Sequence, residues 1–191
     1  VFIENAGAKV VISDPVQGTL QIDAKDLEAK INERTKAVIV NSPNNPSGVV
    51  YTEETIKALT DILKKKSEEY GHVIYLIADE PYRELVYTDV SVPYLMNYYK
   101  NTLVCYSYSK SLSLPGERIG YIAVCPDMED CVSIYLAVCG AGRSLGYVCA
   151  PSLFQHVIGK CIDAKVDIEV YRENRDILYN SLTSYGYECV K

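Results

Sequence analysis

The sequence predicts an α/β fold in three layers, with a mostly parallel sheet covered by helices on both faces. Three observations support it. Short apolar runs lack the polar alternation of a half-solvated strand, which marks strands covered on both sides. Capped helical patterns separate most of these runs, as the crossovers of a parallel sheet require. One pair of runs is joined too tightly to hold a helix, which predicts a single antiparallel neighbour.

The first run, residues 9–13 (KVVIS), reads as a strand stopped by Asp14-Pro15. Asp23 can cap a helix running to about Glu33, with Leu27 and Ile31 on one face. Residues 37–40 (AVIV) form the second strand and lead into the turn-rich stretch 41–48. Thr52 opens the clearest helix, with Glu53 and Glu54 in its first turn, an apolar stripe of Ile56, Leu59, Ile62 and Leu63, and Gly71 at its end. Residues 73–78 (VIYLIA) are the third strand, 102–108 the fourth and 118–124 the fifth; the last two are the tightly linked pair. From Asp127 onward the pattern is helical, with a long segment starting at Pro151 and Ser152 and a further helical run over 171–182. Residues 1–150 are therefore read as a domain core and 151–191 as a long helical segment leading away from it.

Composition excludes several functions. Of 191 residues, 48% are hydrophobic and 23% charged, ordinary for a globular chain with a sizeable core. The 17 tyrosines, against 2 Phe and no Trp, are scattered rather than set at one spacing. A net charge of -6 gives no basic footprint for nucleic acid. The triplet Lys64-Lys65-Lys66 falls where a helix should end, where it would complement the helix dipole. Seven cysteines without a C-x-x-C pair, and neither His72 nor His156 at ligand spacing from one, argue against a metal and for free thiols in a reducing compartment. Without a signal peptide or a membrane-length apolar run, the expected location is the cytoplasm, with no membrane partner.

Polar clusters follow three of the strands: Asn45 after the second, Asp79 and Tyr82 after the third, Ser107 and Lys110 at the end of the fourth. Ligands of open α/β sheets bind outside the carboxyl ends of the strands, so an amide, an acid, a phenol and a lysine should converge on one crevice. Singly, each has a plain structural reading. Asp79 could cap a helix, Asn45 could serve its turn, and Tyr82 could pack. An apolar strand running straight into Lys110 has no structural need for the lysine.

Three motifs carry a family resemblance. Asn41-Ser42-Pro43-Asn44-Asn45-Pro46-Ser47-Gly48 resembles the N-x-P-x-N-P-[ST]-G motif of class I and II aminotransferases. Asp79-Glu80-Pro81-Tyr82 resembles their D-E-x-Y, and Ser107-Tyr108-Ser109-Lys110 with Arg118-Ile119-Gly120 resembles their S-x-S-K and R-x-G. All three occur in the family's order, and the resemblance extends over essentially the whole chain.

The resemblance implies the major domain of a pyridoxal 5'-phosphate-dependent transferase, truncated at both ends and incomplete over 1–150. It implies transfer of an amino group from an amino acid to a 2-oxo acid by a homodimer. Lys110 would form the Schiff base and shuttle the proton at the substrate Cα. Asp79 would pair with the pyridine nitrogen, Tyr82 and Asn45 would bond the phenolic oxygen, and Arg118 with Ser107 would bind the phosphate. The implied strand order is 118–124, 102–108, 73–78, 37–42, with 9–13 left loose or abnormally paired. The substrate-carboxylate arginine and the second phosphate clamp are not found in this chain, so by itself it is expected not to turn over. A C–S β-lyase or a decarboxylase of the same fold would keep every motif. Ser107-x-x-Lys110 also fits a serine acyl-enzyme, but the partner elements S-D-N and K-T-G are absent. Gly140-Ala141-Gly142 through Gly146 is spaced one residue too long for a dinucleotide loop and reads as a plain loop.

Overall fold

The computed structural model describes residues 2–189. Val1 and Val190-Lys191, where the sequence suggests entry from a longer chain and departure toward a second domain, lie outside the described residues. A short α1 (Phe2–Asn5) precedes α2 (Ala24–Lys30), β1 (Ala37–Asn41), α3 (Glu53–Tyr70) and β2 (Tyr75–Asp79). A 3-10 turn (Leu95–Asn97) leads to β3 (Thr102–Ser107), α4 (Tyr108–Ser111) and β4 (Gly120–Val124). Three helices follow: α5 (Cys131–Ser144), α6 (Ser152–Cys161) and α7 (Ile168–Ser184).

The four strands form one sheet in the order β1-β2-β3-β4. The first three are parallel, and β4 runs antiparallel to β3 with Ser107 opposite Gly120. This is the order and orientation expected from the sequence.

α3 illustrates how the residues make the element. The Thr52 hydroxyl accepts the Thr55 N–H, and Gly71 takes the left-handed conformation (φ 67°) that ends the helix. Its buried Ile56, Leu59 and Leu63 join Val40, Leu76, Ala78 and Val104 from the sheet and Leu27 and Ile31 from the α2 region in one core. Each fully buried aliphatic side chain stabilises the fold by about 1.5–3 kcal/mol. The strands alternate in burial: Leu76 and Ala78 face this core, while Ile39 and Ile122 on the other face are 51% and 50% exposed.

Several boundaries differ from the sequence reading. Residues 9–13 form no strand; Val11 and Ile12 are 55% and 73% exposed, and the only pairing nearby is the isolated antiparallel bridge Pro15–Ile22. β propensity without a neighbouring strand to pair with does not make a ladder. The helix from Asp23 stops at Lys30 because Ile31 turns extended. The third predicted strand starts at Tyr75 rather than Val73, and the fifth at Gly120, since Arg118 sits at positive φ (51°). The fourth ends at Ser107, whose side chain caps α4, so Lys110 stands on a helical turn rather than at the strand end.

The lysine triplet lies before the last turn of α3 and serves ion pairs instead of the dipole: Lys64–Asp61, Lys65–Glu28 and Lys66–Glu69. Gly140 and Gly142, read as loop, are in the last turns of α5. The segment after Pro151 is two helices, broken between Cys161 and Ile168.

Candidate active site

The parallel strands bring their carboxyl ends together. Asn41 and Asp79 are the last residues of β1 and β2 and are paired in register; Cys105 of β3 is opposite Asp79. Side chains that lie far apart in sequence are thereby placed on one edge.

Asn41 is the hub of this edge. Its Nδ2 donates to the Asp79 carbonyl at 2.9 Å and approaches Asp79 Oδ2 at 3.4 Å. Its Oδ1 accepts the Asn45 N–H at 2.7 Å. The loop 41–48 is closed further by Asn44, whose Oδ1 accepts from Ser47 Oγ at 2.7 Å and whose carbonyl accepts the Gly48 N–H at 2.7 Å. Held in this way, Asn45 donates through Nδ2 to the Tyr82 hydroxyl at 2.9 Å.

Lys110 completes the group. Its Nζ stands over the Tyr82 ring, 5.8 Å from the centroid, and among the described residues it makes no hydrogen bond or ion pair. Ser107 Oγ donates to Ser109 Oγ at 2.6 Å and accepts the Ser109 N–H at 3.1 Å. The serine hydroxyl is therefore engaged by Ser109 and not by the lysine, which removes the Ser-x-x-Lys acyl-enzyme reading: that chemistry needs the amine as the base of the hydroxyl.

Arg118 lies in the loop between α4 and β4. Its backbone adjoins α4, since Tyr108 N–H donates to the Ile119 carbonyl at 3.1 Å. Its guanidinium, however, donates Nη1 to Pro115 O at 2.9 Å, and no hydrogen bond links it to the other predicted residues.

Asp79 lies at the exposed strand end, yet partial desolvation by its surroundings pushes its carboxyl above the ordinary range, with no cation beside it to offset the effect. Cys105 is raised likewise, by burial and then by the Asp79 charge. The edge thus holds one carboxyl seeking a positive partner and one free amine. No group of three or more His, Cys, Asp or Glu among the described residues could hold a metal ion, and no described helix is long and apolar enough to cross a membrane. All seven cysteines are free.

Asn41 was missed as a site residue. Its signal was present, since it ends an apolar strand and opens the loop that carries Asn45, but only the register with Asp79 reveals what its amide does. Gly120 was also missed in this respect. A Cβ there would collide with the Tyr106 carbonyl oxygen and come within 3.1 Å of Ser107 Cα, so only glycine lets β4 approach the end of β3.

Comparisons with known proteins identify the family and the fold. The family model for aminotransferase class I and II matches residues 1–191. A crystal structure of an amino transferase from Eubacterium rectale superposes with a TM-score of 0.95 at 60% identity, covering 98% of this chain and 47% of that one. Alanine aminotransferase from Mycobacterium tuberculosis is 32% identical over 94% of this chain and 42% of its own length. Aspartate aminotransferase from Thermotoga maritima is 28% identical over 97% of this chain and 47% of its own. The chain thus spans less than half the length of these relatives.

Proposed function

The chain belongs to the class I and II aminotransferases, and we propose that it forms the cofactor-binding part of an enzyme that moves an amino group from an amino acid to a 2-oxo acid with pyridoxal 5'-phosphate. The observation that carries this reading is the meeting of Lys110, Tyr82, Asn45 and Asp79 along the ends of three neighbouring strands. Residues 1–150 would be the cofactor domain and 151–191 would lead toward a second one. A homodimer is the proposed assembly; the exposed Val132, Leu136, Leu145 and Tyr147 support association.

The donor set fits the cofactor. A lysine without an acid partner is free to be its covalent anchor. Asp79, raised by partial desolvation, would be relieved by the cation of a protonated ring nitrogen. The Asn45–Tyr82 pair presents an amide and a phenol side by side for an anionic ring oxygen. Arg118 and Ser107 are assigned to the phosphate, which requires the Arg118 guanidinium to leave Pro115.

When bound, the cofactor supplies a sink for the electrons left at the substrate Cα. The chain's own residues would then do three things. Once the substrate amine has displaced it from the cofactor, Lys110 Nζ would take the proton from Cα as general base. Asp79 would hold the proton on the ring nitrogen, and Tyr82 with Asn45 would orient the ring from its phenolic side. The test is a panel of amino donors offered to the full-length enzyme, with product analysis. Release of the 2-oxo acid matching the donor is expected; carbon dioxide or a cleaved thiol would favour a decarboxylase or a β-lyase instead. Assayed by itself, the 191-residue chain is proposed to hold the cofactor weakly and not to turn over.

A further inference from the structure

Glu80 follows Asp79 directly, and it is buried to 2% exposure. Its Oε2 accepts both Arg83 Nε and Arg83 Nη2 at 2.8 Å, while Oε1 has no partner among the described residues. Arg83 spends its other donors on backbone: Nη1 on Val92 O at 3.0 Å and Nη2 on Pro93 O at 2.8 Å. Its guanidinium also lies over the Tyr94 ring at 5.3 Å. At the other end, Glu80 N–H donates to the Cys105 carbonyl of β3 at 2.9 Å. The turn that follows β2 is therefore fastened to β3 on one side and to the 92–94 strap on the other.

This is a poor way merely to stabilise a turn. Desolvating a carboxylate and a guanidinium costs much of what their attraction returns, and one carboxylate oxygen here is left unpaired. What a planar, forked ion pair gives that an apolar pair does not is a fixed orientation. Tyr82 lies between the two partners in sequence, and its hydroxyl must reach Asn45 while its ring lies under Lys110.

We infer that Glu80 is a positioning residue: through Arg83 it locks the 80–83 turn in the one arrangement that delivers Tyr82 to Asn45 and Lys110. Its functional meaning rests on the cofactor reading proposed above, but the geometry can be tested without any cofactor. In the cofactor-free chain, the side-chain amide signals of Asn45 in ¹⁵N–¹H NMR report the bond to Tyr82, and Tyr82→Phe gives the displacement expected when that bond is lost. Glu80→Gln and Arg83→Lys should each move the Asn45 signals toward the Tyr82→Phe position, and neither should add a displacement when combined with Tyr82→Phe. Ile56→Val, a mild core change in α3, should lower the melting temperature and leave these signals in place. Should Glu80→Gln fail to fold, Arg83→Lys decides alone. Asn45 signals at their wild-type positions in a folded Arg83→Lys chain would overturn the inference. With pyridoxal phosphate added, the pH midpoint of its visible absorbance should shift in the same direction for Glu80→Gln as for Tyr82→Phe. A chain that takes up no cofactor but shows coupled Asn45 signals would sink the cofactor reading and leave the positioning network standing.

Discussion

Replacing Asn41 by Asp keeps the acceptor for the Asn45 N–H and removes the donor to Asp79. It also sets a second carboxylate where an amide now approaches Asp79 Oδ2 at 3.4 Å. The lost hydrogen bond costs about 1 kcal/mol. Two like charges near 4 Å repel by about 1 kcal/mol in water and about 4 kcal/mol at a protein surface of effective dielectric near 20. Partial desolvation already raises Asp79, so its charged form is disfavoured in the fold. A carboxyl raised in this way binds its proton more tightly folded than unfolded, so stability falls as pH rises from the unfolded value through the folded one. Asn41→Ala serves as the uncharged comparator. In urea unfolding at neutral pH, Asn41→Asp should be less stable than Asn41→Ala by up to roughly 3 kcal/mol, the repulsion being offset in part by the Asn45 bond that only the aspartate keeps. That gap should close near pH 4 and shrink in high salt. A gap that is the same at pH 4 and pH 7 would refute the placement of Asn41 against Asp79.

Other substitutions test other parts of the structure. Gly120→Ala must push β4 from the end of β3, and urea unfolding should show a loss of about 1–3 kcal/mol. Thr52→Ala removes the α3 cap, so calorimetry should show a melting temperature lower by about 2–4 °C for each kcal/mol, with about 1 kcal/mol lost. Tyr106 is pushed by burial well above its ordinary value of 10.0, so its neutral form adds stability that is lost as pH climbs past that value. Tyr106→Phe, which also loses the 2.7 Å bond to Ser111, should be less stable at neutral pH and lose less than wild type above pH 10 in alkaline unfolding curves.

The sheet was legible because each strand is a short apolar run and the turns between them are marked by Gly, Pro and Asn. The order of strands came from the family resemblance, and only the tight β3–β4 link could be derived from spacing. The KVVIS run has the propensity of a strand but no pairing partner, so it is left loose, as the family resemblance implied, with Val11 and Ile12 exposed. Asn45, Asp79, Tyr82 and Lys110 were legible as residues following strands. The details that join them were not, because they depend on register. Asn41 reaches Asp79 only because β1 and β2 pair residue for residue. The Glu80–Arg83 lock was hidden in a motif whose acid and phenol drew attention first, and nothing in the sequence says that Glu80 is buried. Arg118 was named from the motif, yet its guanidinium lies on the Pro115 carbonyl, a choice set by a backbone conformation that the sequence does not declare.

Lys110 is proposed as the amine that holds a carbonyl cofactor, and reductive trapping tests this assignment. Pyridoxal phosphate is added to the chain, the imine is reduced with borohydride, and the modified lysine is located by mass spectrometry of the peptides. The label should fall first on Lys110, disappear in Lys110→Ala, and weaken in Asp79→Ala. A label spread over the surface lysines in proportion to their exposure, and unchanged in Lys110→Ala, would contradict it.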